Sequence, residues 1–232
     1  GIFLSNWINK LKKKRNTYRI IFIPETIGSI MYINKNLKKL KNNMDAGFNI
    51  TCVGDEKNYS YLPSKYGNTL SDKVILHVLK YSVKKFNKFK WTDRGGDERQ
   101  YCSAGVDLPV ATLMRSKYGL YKEYHTSLDK LGTVVTAKGL GQSFDAYKQI
   151  IEALENNYKL KFKLRCEPFL SKRNIYPTMY DAPNSERMIT SDMLRHILSY
   201  ADGNNDLIDI ANLIDCPIWK LYPYVNVLKK NK

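Results

Sequence analysis

The sequence predicts an α/β fold, in which a layered domain with a largely parallel sheet is followed by a small helical module. Short β-branched and aromatic runs alternate with segments of helical periodicity through most of the chain, as in βαβ units. Three short helical segments separated by turns close the sequence. With 232 residues, 43% of them hydrophobic and 26% charged, the chain can bury a core without disulfides, and whole-chain disorder is excluded.

The first predicted elements are a helix, a strand and a second helix. The opening helix ends near Arg15, and residues 18–23 form a β-branched and aromatic run of the length expected for a buried strand. Pro24 and Glu25 end this run, and helical spacing resumes over residues 27–42. Because ligands bind beyond the carboxyl ends of parallel strands, Glu25 occupies a candidate binding position.

The middle of the chain supplies the rest of the predicted layered domain. Apolar residues at helical spacing predict helices over residues 72–83 and 143–158. Strands are predicted over residues 46–53 and 108–114, with an edge strand over residues 161–165. These elements complete the alternating pattern on which the α/β prediction depends.

The last part of the chain has the spacing of a winged helix-turn-helix. Helices are predicted near residues 190–201, 206–214 and 217–229, with a turn at residues 202–205. Pro217 suits the first turn of the third helix, where a missing backbone N–H costs nothing.

These patterns divide the chain into three predicted parts. Residues 1–170 form the α/β domain, residues 171–185 form a Pro-bearing linker, and residues 186–232 form the winged-helix-like module.

The net charge of +16 is unevenly distributed along the chain. Residues 1–48 carry ten basic and two acidic side chains, whereas residues 178–232 carry six basic and seven acidic ones. Since phosphate contacts supply most non-specific affinity, this balance argues against nucleic acid as a partner of the terminal module. Lys220, Lys229 and Lys230 on its third helix keep nucleic-acid binding or a regulatory role as an alternative, and its apolar residues keep homo-oligomerisation or domain packing as another.

The four cysteines and the hydropathy predict a cytoplasmic protein without a membrane span. Cys52, Cys102, Cys166 and Cys216 are widely separated, and none belongs to a Cys-x-x-Cys pair. Such cysteines are more simply free thiols in a reducing compartment than disulfide partners. No apolar run approaches the ~20 residues that a transmembrane helix needs.

Ligand-type residues occur in three predicted loops. Glu25 follows a strand, Asp97 lies in a Gly-Gly loop, and His125 follows an acidic and aromatic segment with Asp129 four residues further on. A metal-bound histidine is usually oriented by such a carboxylate, so these residues are candidates for a metal site. The alternative is that these are ordinary loop residues, because loops collect acidic side chains in any protein. The two other histidines lie in apolar helical segments and are predicted to be structural.

Three motifs resemble a bacterial aminopeptidase-like family, namely Ile23–Ser29, Asp97–Ser103 and Tyr124–Asp129. Members of that family have a zinc-exopeptidase domain followed by a C-terminal winged helix, and they often accompany surface-polysaccharide biosynthesis genes. The resemblance covers essentially the whole chain. It implies that the α/β part belongs to a three-layer zinc-exopeptidase-like domain.

The resemblance also implies roles for individual residues. Asp97 and His125 correspond to metal ligands, Asp129 to the support of His125, and Glu25 to the general base that assists a zinc-activated water in amide hydrolysis. The implied substrate is a peptide or a small amide-bearing molecule. Where the peptidases have Glu-Glu this chain has Glu25-Thr26, so a second-metal ligand is missing, or Glu25 is itself a ligand. One or two zinc ions are therefore expected in the full-length protein.

A further departure concerns the first ligands of the family. A His in a His-Pro segment, and an Asp or Asn in a loop that ends in Ser-Gly, precede the helix that opens this chain, and Gly1 resembles that last Gly. We therefore expect this chain to be the C-terminal portion of a longer protein. By itself it is expected to bind zinc weakly or not at all, and to have no peptidase activity.

Overall fold

The computed structural model of the chain describes residues 1–163, 165–173, 176, 180 and 185–230. The chain divides into two compact units, Gly1–Glu152 and Ala153–Lys232. The predicted linker over residues 171–185 falls mostly on residues outside the described part, so the predicted domain boundaries stay a prediction.

The first unit contains a four-stranded sheet and five helices within the described residues. The helices are α1 (Ile2–Lys10), α2 (Ile27–Asn43), α3 (Leu70–Ser82), α4 (Glu98–Tyr101) and α5 (Ala137–Glu155), the last of which extends past the boundary. The strands are β1 (Gly47–Asn49), β2 (Tyr59–Leu62), β3 (Phe86–Lys88) and β4 (Val110–Met114).

The sheet has the strand order β1-β4-β2-β3. Strands β1 and β4 run parallel, as do β2 and β3, whereas the central pair β2 and β4 is antiparallel. Two of the three pairings are therefore parallel, and the α/β architecture is confirmed. The carboxyl ends of β1 and β4 lie at the same edge of the sheet, from which the loop after β4 leads to His125.

Helix α3 shows why the periodic segments were predictable. Its N-terminus has a capping box, in which the Thr69 hydroxyl accepts from the backbone of Asp72 and the Asp72 carboxylate accepts from the backbone of Thr69. Its inward face carries Val74, Ile75 and Val78, which are fully buried. Helix α2 likewise matches the prediction over residues 27–42.

The predicted strand over residues 18–23 is wrong. This stretch pairs with none of the described strands, and Phe22 is 69% exposed. A β-branched run becomes a strand only where a neighbour pairs with its backbone groups, and the local sequence does not encode that neighbour. The opening helix is also shorter than predicted, because Leu11 adopts an extended conformation directly after Lys10.

The second unit contains three helices and a two-stranded ribbon among its described residues. The ribbon pairs β5 (Lys159–Lys161) with β6 (Asp202–Asp206), and the helices are α6 (Glu186–Ser199), α7 (Leu207–Leu213) and α8 (Ile218–Lys230). The three predicted helices are confirmed. Their core consists of fully buried aliphatic side chains, among them Leu194, Ile197, Leu207, Ile208, Ile210, Ile218 and Leu221.

The predicted turn over residues 202–205 is wrong, because these residues form most of strand β6. The antiparallel register places Lys159 opposite Asp206 and Lys161 opposite Asp202. Backbone pairing with β5 thus makes a strand of this polar segment.

No helix in the described part of the chain is long and apolar enough to cross a bilayer.

Candidate functional site

The turn at Glu25 and Thr26 is strained and is held by the loop that carries Asp97. Thr26 has φ 63° and ψ −69°, and the amide of Ile27 donates to the carbonyl of Glu25 at 2.7 Å, which together define a γ-turn of the rare, strained type. The Thr26 amide donates to Oδ1 of Asp97 at 2.7 Å, and Arg99 Nη2 donates to the Thr26 hydroxyl at 2.9 Å. Strain of this kind persists only where the surroundings impose it, and it is concentrated at functional sites.

Glu98, next to Asp97, is a buried anchor for this loop. Its side chain is fully buried, and its carboxylate accepts hydrogen bonds from backbone amides and from neutral side chains. The donors to Oε1 are the amides of Gly95 and Gly96 and the Tyr118 hydroxyl, at 3.0, 2.8 and 2.7 Å. The donors to Oε2 are Asn49 Nδ2 and Thr112 Oγ1, at 2.7 and 3.3 Å. Glu98 thereby ties the Asp97 loop to strands β1 and β4.

These hydrogen bonds decide the protonation state of Glu98. Burial alone would raise the pKa of this carboxyl, but the hydrogen bonds from Tyr118, Gly95 and Gly96 outweigh burial and hold the pKa below its usual value. The pKa of Tyr118 is raised in turn, first by burial and then by its hydrogen bond to the Glu98 carboxylate. Glu98 is thus an ionised group stabilised by neutral donors.

His125 lies on a layer of tyrosine rings. Its imidazole stacks on the ring of Tyr124, with the centroids 3.9 Å apart and an interplanar angle of 18°. Tyr124 packs edge-on against Tyr121, at 5.5 Å, and also contacts the buried cluster of Leu62, Met114 and Tyr118. His125 itself has φ 59°, a left-handed backbone conformation that is uncommon for residues other than glycine. The imidazole is therefore positioned by local stacking and by its backbone.

Asp129 belongs to the same layer. Its Oδ2 accepts a hydrogen bond from the Tyr121 hydroxyl at 2.7 Å, and the same hydroxyl lies 3.6 Å from the sulfur of Cys52. The support of His125 by Asp129 stays a prediction, because the described contacts of the Asp129 carboxylate are with Tyr121.

Tyr124 connects the predicted site residues electrostatically. Its pKa is raised, first by burial and then by the electrostatic effects of Cys52, Glu25 and Asp129. Glu25 and Asp129 therefore act on the ring against which His125 stacks. The described contacts thus form two groups, with Asp97 bonded to the turn after Glu25 and with His125 and Asp129 joined through the tyrosine layer.

The site lacks a full set of metal ligands in the described part of the chain. No three His, Cys, Asp or Glu side chains there lie close enough together to hold a metal ion. Asp97 and His125 are donors of the kind that zinc takes, but a zinc site needs three or four protein ligands. Their role as ligands, and that of Glu25 as base, stay predictions.

Sequence reasoning missed the residues that hold this site in place. Glu98 was not singled out, although the preceding Gly95 and Gly96 are the local signal, since two glycine amides can turn toward one carboxylate. Tyr118 and Tyr121 lacked any such signal, because their partners are distant in sequence.

Comparison with known proteins shows which families the two parts of the chain match. Residues 1–157 match the family described as a domain of unknown function, DUF4910, and residues 157–232 match a winged helix-turn-helix family. A protein of Clostridium acetobutylicum, named "Putative polysaccharide biosynthesis protein with aminopeptidase-like domain", is 39% identical over 210 residues, which are 90% of this chain and 47% of that protein.

A solved structure also shows similarity to a peptidase-like protein. The crystal structure of a "putative peptidase" from Clostridium acetobutylicum matches with a TM-score of 0.84 and 34% identity, over 98% of this chain and 50% of that one. The chain thus spans about half the length of these relatives. The predicted resemblance to aminopeptidase-like proteins with a terminal winged helix is confirmed. Since the first family match covers more than half of the 232 residues, the chain belongs to the DUF4910 family.

Proposed function

We propose that this chain supplies part of the active site of a zinc-dependent aminopeptidase-like hydrolase, in which Asp97 and His125 bind the metal. The observation that carries the proposal is the hydrogen bond from the Thr26 amide to Asp97 Oδ1, which joins the loop of the proposed ligand to the strained turn of Glu25. It leaves Asp97 Oδ2 for another partner. An active site needs such fixed relative positions of base and ligand.

In this proposal the chain contributes two ligands and a base. When bound, zinc supplies a water whose pKa is lowered to about 7. Glu25, the residue before the strained Thr26, would accept a proton from the reacting water. Tyr124 holds the imidazole of His125 by stacking and keeps one of its faces from solvent. The remaining metal ligands belong to residues outside these 232, which is consistent with relatives about twice as long.

The proposed substrate is a peptide or a small molecule with an amide bond. The Clostridium relative is named for polysaccharide biosynthesis, and we extend that link to this chain as part of the proposal. An amide-bearing sugar conjugate would fit both the proposed amide hydrolysis and the proposed link to polysaccharide biosynthesis.

The test is metal analysis and a screen of peptide and amide hydrolysis on the full-length protein. Asp97→Ala and His125→Ala are each expected to lower zinc content and to abolish hydrolysis. The matched control is Asp107→Ala, since Asp107 is an exposed acid whose ion pair with Lys65 is at the surface. Unchanged zinc content in both site variants would exclude these residues as ligands.

The winged helix-turn-helix match favours a second candidate function, which is nucleic-acid binding or regulation through the second unit. The charge balance of residues 178–232 argues against it, as does the position of Lys229, whose ammonium lies over the ring of Tyr158 at 3.9 Å.

A further inference from the structure

A groove of about 470 Å³ opens on the first unit and contains none of the proposed catalytic residues. It is formed by strand β2 and the residues before it, by β3 and the residue after it, and by the segment that follows β4. Six of its eight lining residues are polar, among them Lys57, Ser60, Asn87 and Lys117.

Ser60 is the buried residue of this groove. It lies on β2, it is fully buried, and its hydroxyl has no hydrogen-bond partner among the described residues. Leaving a buried hydroxyl without a partner is unfavourable, and such groups call for an explanation, of which a bound molecule is one. Because Ser60 is also a lining residue of the groove, a polar ligand bound there is the partner that this hydroxyl lacks in the described part of the chain.

The charge of the groove is positive. Among the described residues, neither Lys57 nor Lys117 forms an ion pair, and the Lys117 ammonium lies over the rings of Tyr118 and Phe89, at 4.3 and 5.6 Å. The neighbouring carboxylate of Asp55 is already engaged by the amides of Lys57 and Ser116 and by the Ser116 hydroxyl. Lys117 Nζ also donates to the carbonyl of Tyr118 at 3.4 Å, which leaves its remaining N–H groups, and those of Lys57, for an anion.

We propose that this groove binds a phosphate group carried by a small ligand. Two ammonium groups, the carboxamide of Asn87 and the hydroxyl of Ser60 match an anion with several acceptor oxygens and a charge near −2. The lining also includes Phe89, which is half-buried, and a sugar or base attached to the phosphate can pack against the rest of its ring. This site is separate from the proposed metal ligands and does not depend on them.

Isothermal titration of the chain tests the proposal with three probes, namely inorganic phosphate, a hexose phosphate and adenosine monophosphate. Sodium chloride at matched ionic strength is the control for non-specific screening. All three phosphates are expected to bind, and tighter binding of an organic phosphate would identify the attached group as part of the ligand. Saturable binding of inorganic phosphate without binding of either organic phosphate would overturn the proposal of a carried phosphate group.

Variants assign the binding to the groove. Lys57→Gln and Lys117→Gln are each expected to weaken phosphate binding about tenfold, as expected when one charge-assisted hydrogen bond is removed. Lys88→Gln is the matched control, because this β3 lysine lies over Phe86 and does not line the groove.

Ser60→Ala gives an independent readout. It is expected to weaken phosphate binding without lowering the midpoint of thermal unfolding, since it removes a hydroxyl that has no partner in the described part of the chain. No saturable binding of any probe, or equal weakening in Lys88→Gln and Lys117→Gln, would overturn the proposal.

Discussion

The backbone amide of Thr26 donates to Oδ1 of Asp97 at 2.7 Å, across 71 residues of sequence. This bond joins two of the three motifs that resemble aminopeptidase-like proteins, and it does so at a γ-turn that a β-branched residue adopts with strain. One oxygen of Asp97 therefore maintains the backbone that presents Glu25, while Oδ2 is left for another partner. The two roles can be separated by substitution.

Asp97→Asn and Asp97→Ala are expected to differ in stability but not in metal binding. Asparagine keeps a carbonyl oxygen that can accept from Thr26, whereas alanine leaves that amide without its partner, at a cost of about 1–3 kcal/mol. Urea unfolding should therefore show a larger decrease in stability for Asp97→Ala. Both variants should lower zinc content in the full-length protein, because both lack the charge. Equal stabilities would show that the bond to Thr26 contributes little.

Glu98 is expected to make the stability of the chain depend on pH in the acid range. Its pKa is lowered in the folded state, so the unfolded state binds the proton more readily. The contribution of Glu98 to the free energy of unfolding is complete above the ordinary carboxyl pKa of 4.5. It is lost as the pH falls from that value through the lowered pKa of the folded state.

Glu98→Gln should reduce this dependence, since glutamine does not titrate there. The measurement is urea unfolding of both proteins at a series of pH values from neutral to acid. Glu56→Gln is a useful comparison, because Glu56 also has a lowered pKa but is bonded to Lys138 at the surface, where the effect on stability is small. An unchanged slope in Glu98→Gln would contradict the role of this carboxylate.

The parts of the fold that were predictable are those whose sequence signal is local. Helix α3 combines a capping box with apolar residues at helical spacing, and both are visible in the sequence. Residues 18–23 and strand β6 were not predictable, because a strand depends on a partner that is remote in the chain. Thus a β-branched run pairs with none of the described strands, whereas an Asp- and Asn-rich segment pairs with the lysines of β5.

The site follows the same rule. Glu25, Asp97 and His125 could be singled out because they lie in loops with motifs. Glu98 could not, because an acid becomes a buried anchor only when its donors are present, and two of these, Asn49 and Tyr118, are 49 and 20 residues away. The preceding glycines, Gly95 and Gly96, indicated a turn but not that their amides donate to the Glu98 carboxylate.

Two glycines of helix α5 should respond oppositely to alanine. A Cβ at Gly139 would lie 2.1 Å from the carbonyl oxygen of Gly54, so the helix would have to move away from this loop. We expect Gly139→Ala to destabilise the first unit by ~1–3 kcal/mol, as overpacking does. At Gly141 nothing lies within 4 Å, so alanine should stabilise the helix by about 0.5–1 kcal/mol. Thermal unfolding of the two variants checks this, and a gain in stability for Gly139→Ala would contradict the close packing.

Any binding of duplex DNA is expected to depend on the N-terminal lysines and not on the winged helix-turn-helix. Residues 1–48 hold ten basic side chains against two acidic ones, and Lys12 and Lys13 are exposed. Lys229 of α8, by contrast, lies over the Tyr158 ring within a slightly acidic segment.

The double variant Lys12→Ala with Lys13→Ala should therefore elute from heparin or duplex DNA at lower salt. For each phosphate that is no longer neutralised by a lysine, the slope of log affinity against log salt should become shallower by about 0.9. Lys229→Ala with Lys230→Ala removes the same charge and is the matched control, with little change expected. The opposite order of elution would assign nucleic-acid binding to the second unit. It would favour the second candidate function, because Lys229 and Lys230 lie within the residues that match the winged helix-turn-helix family.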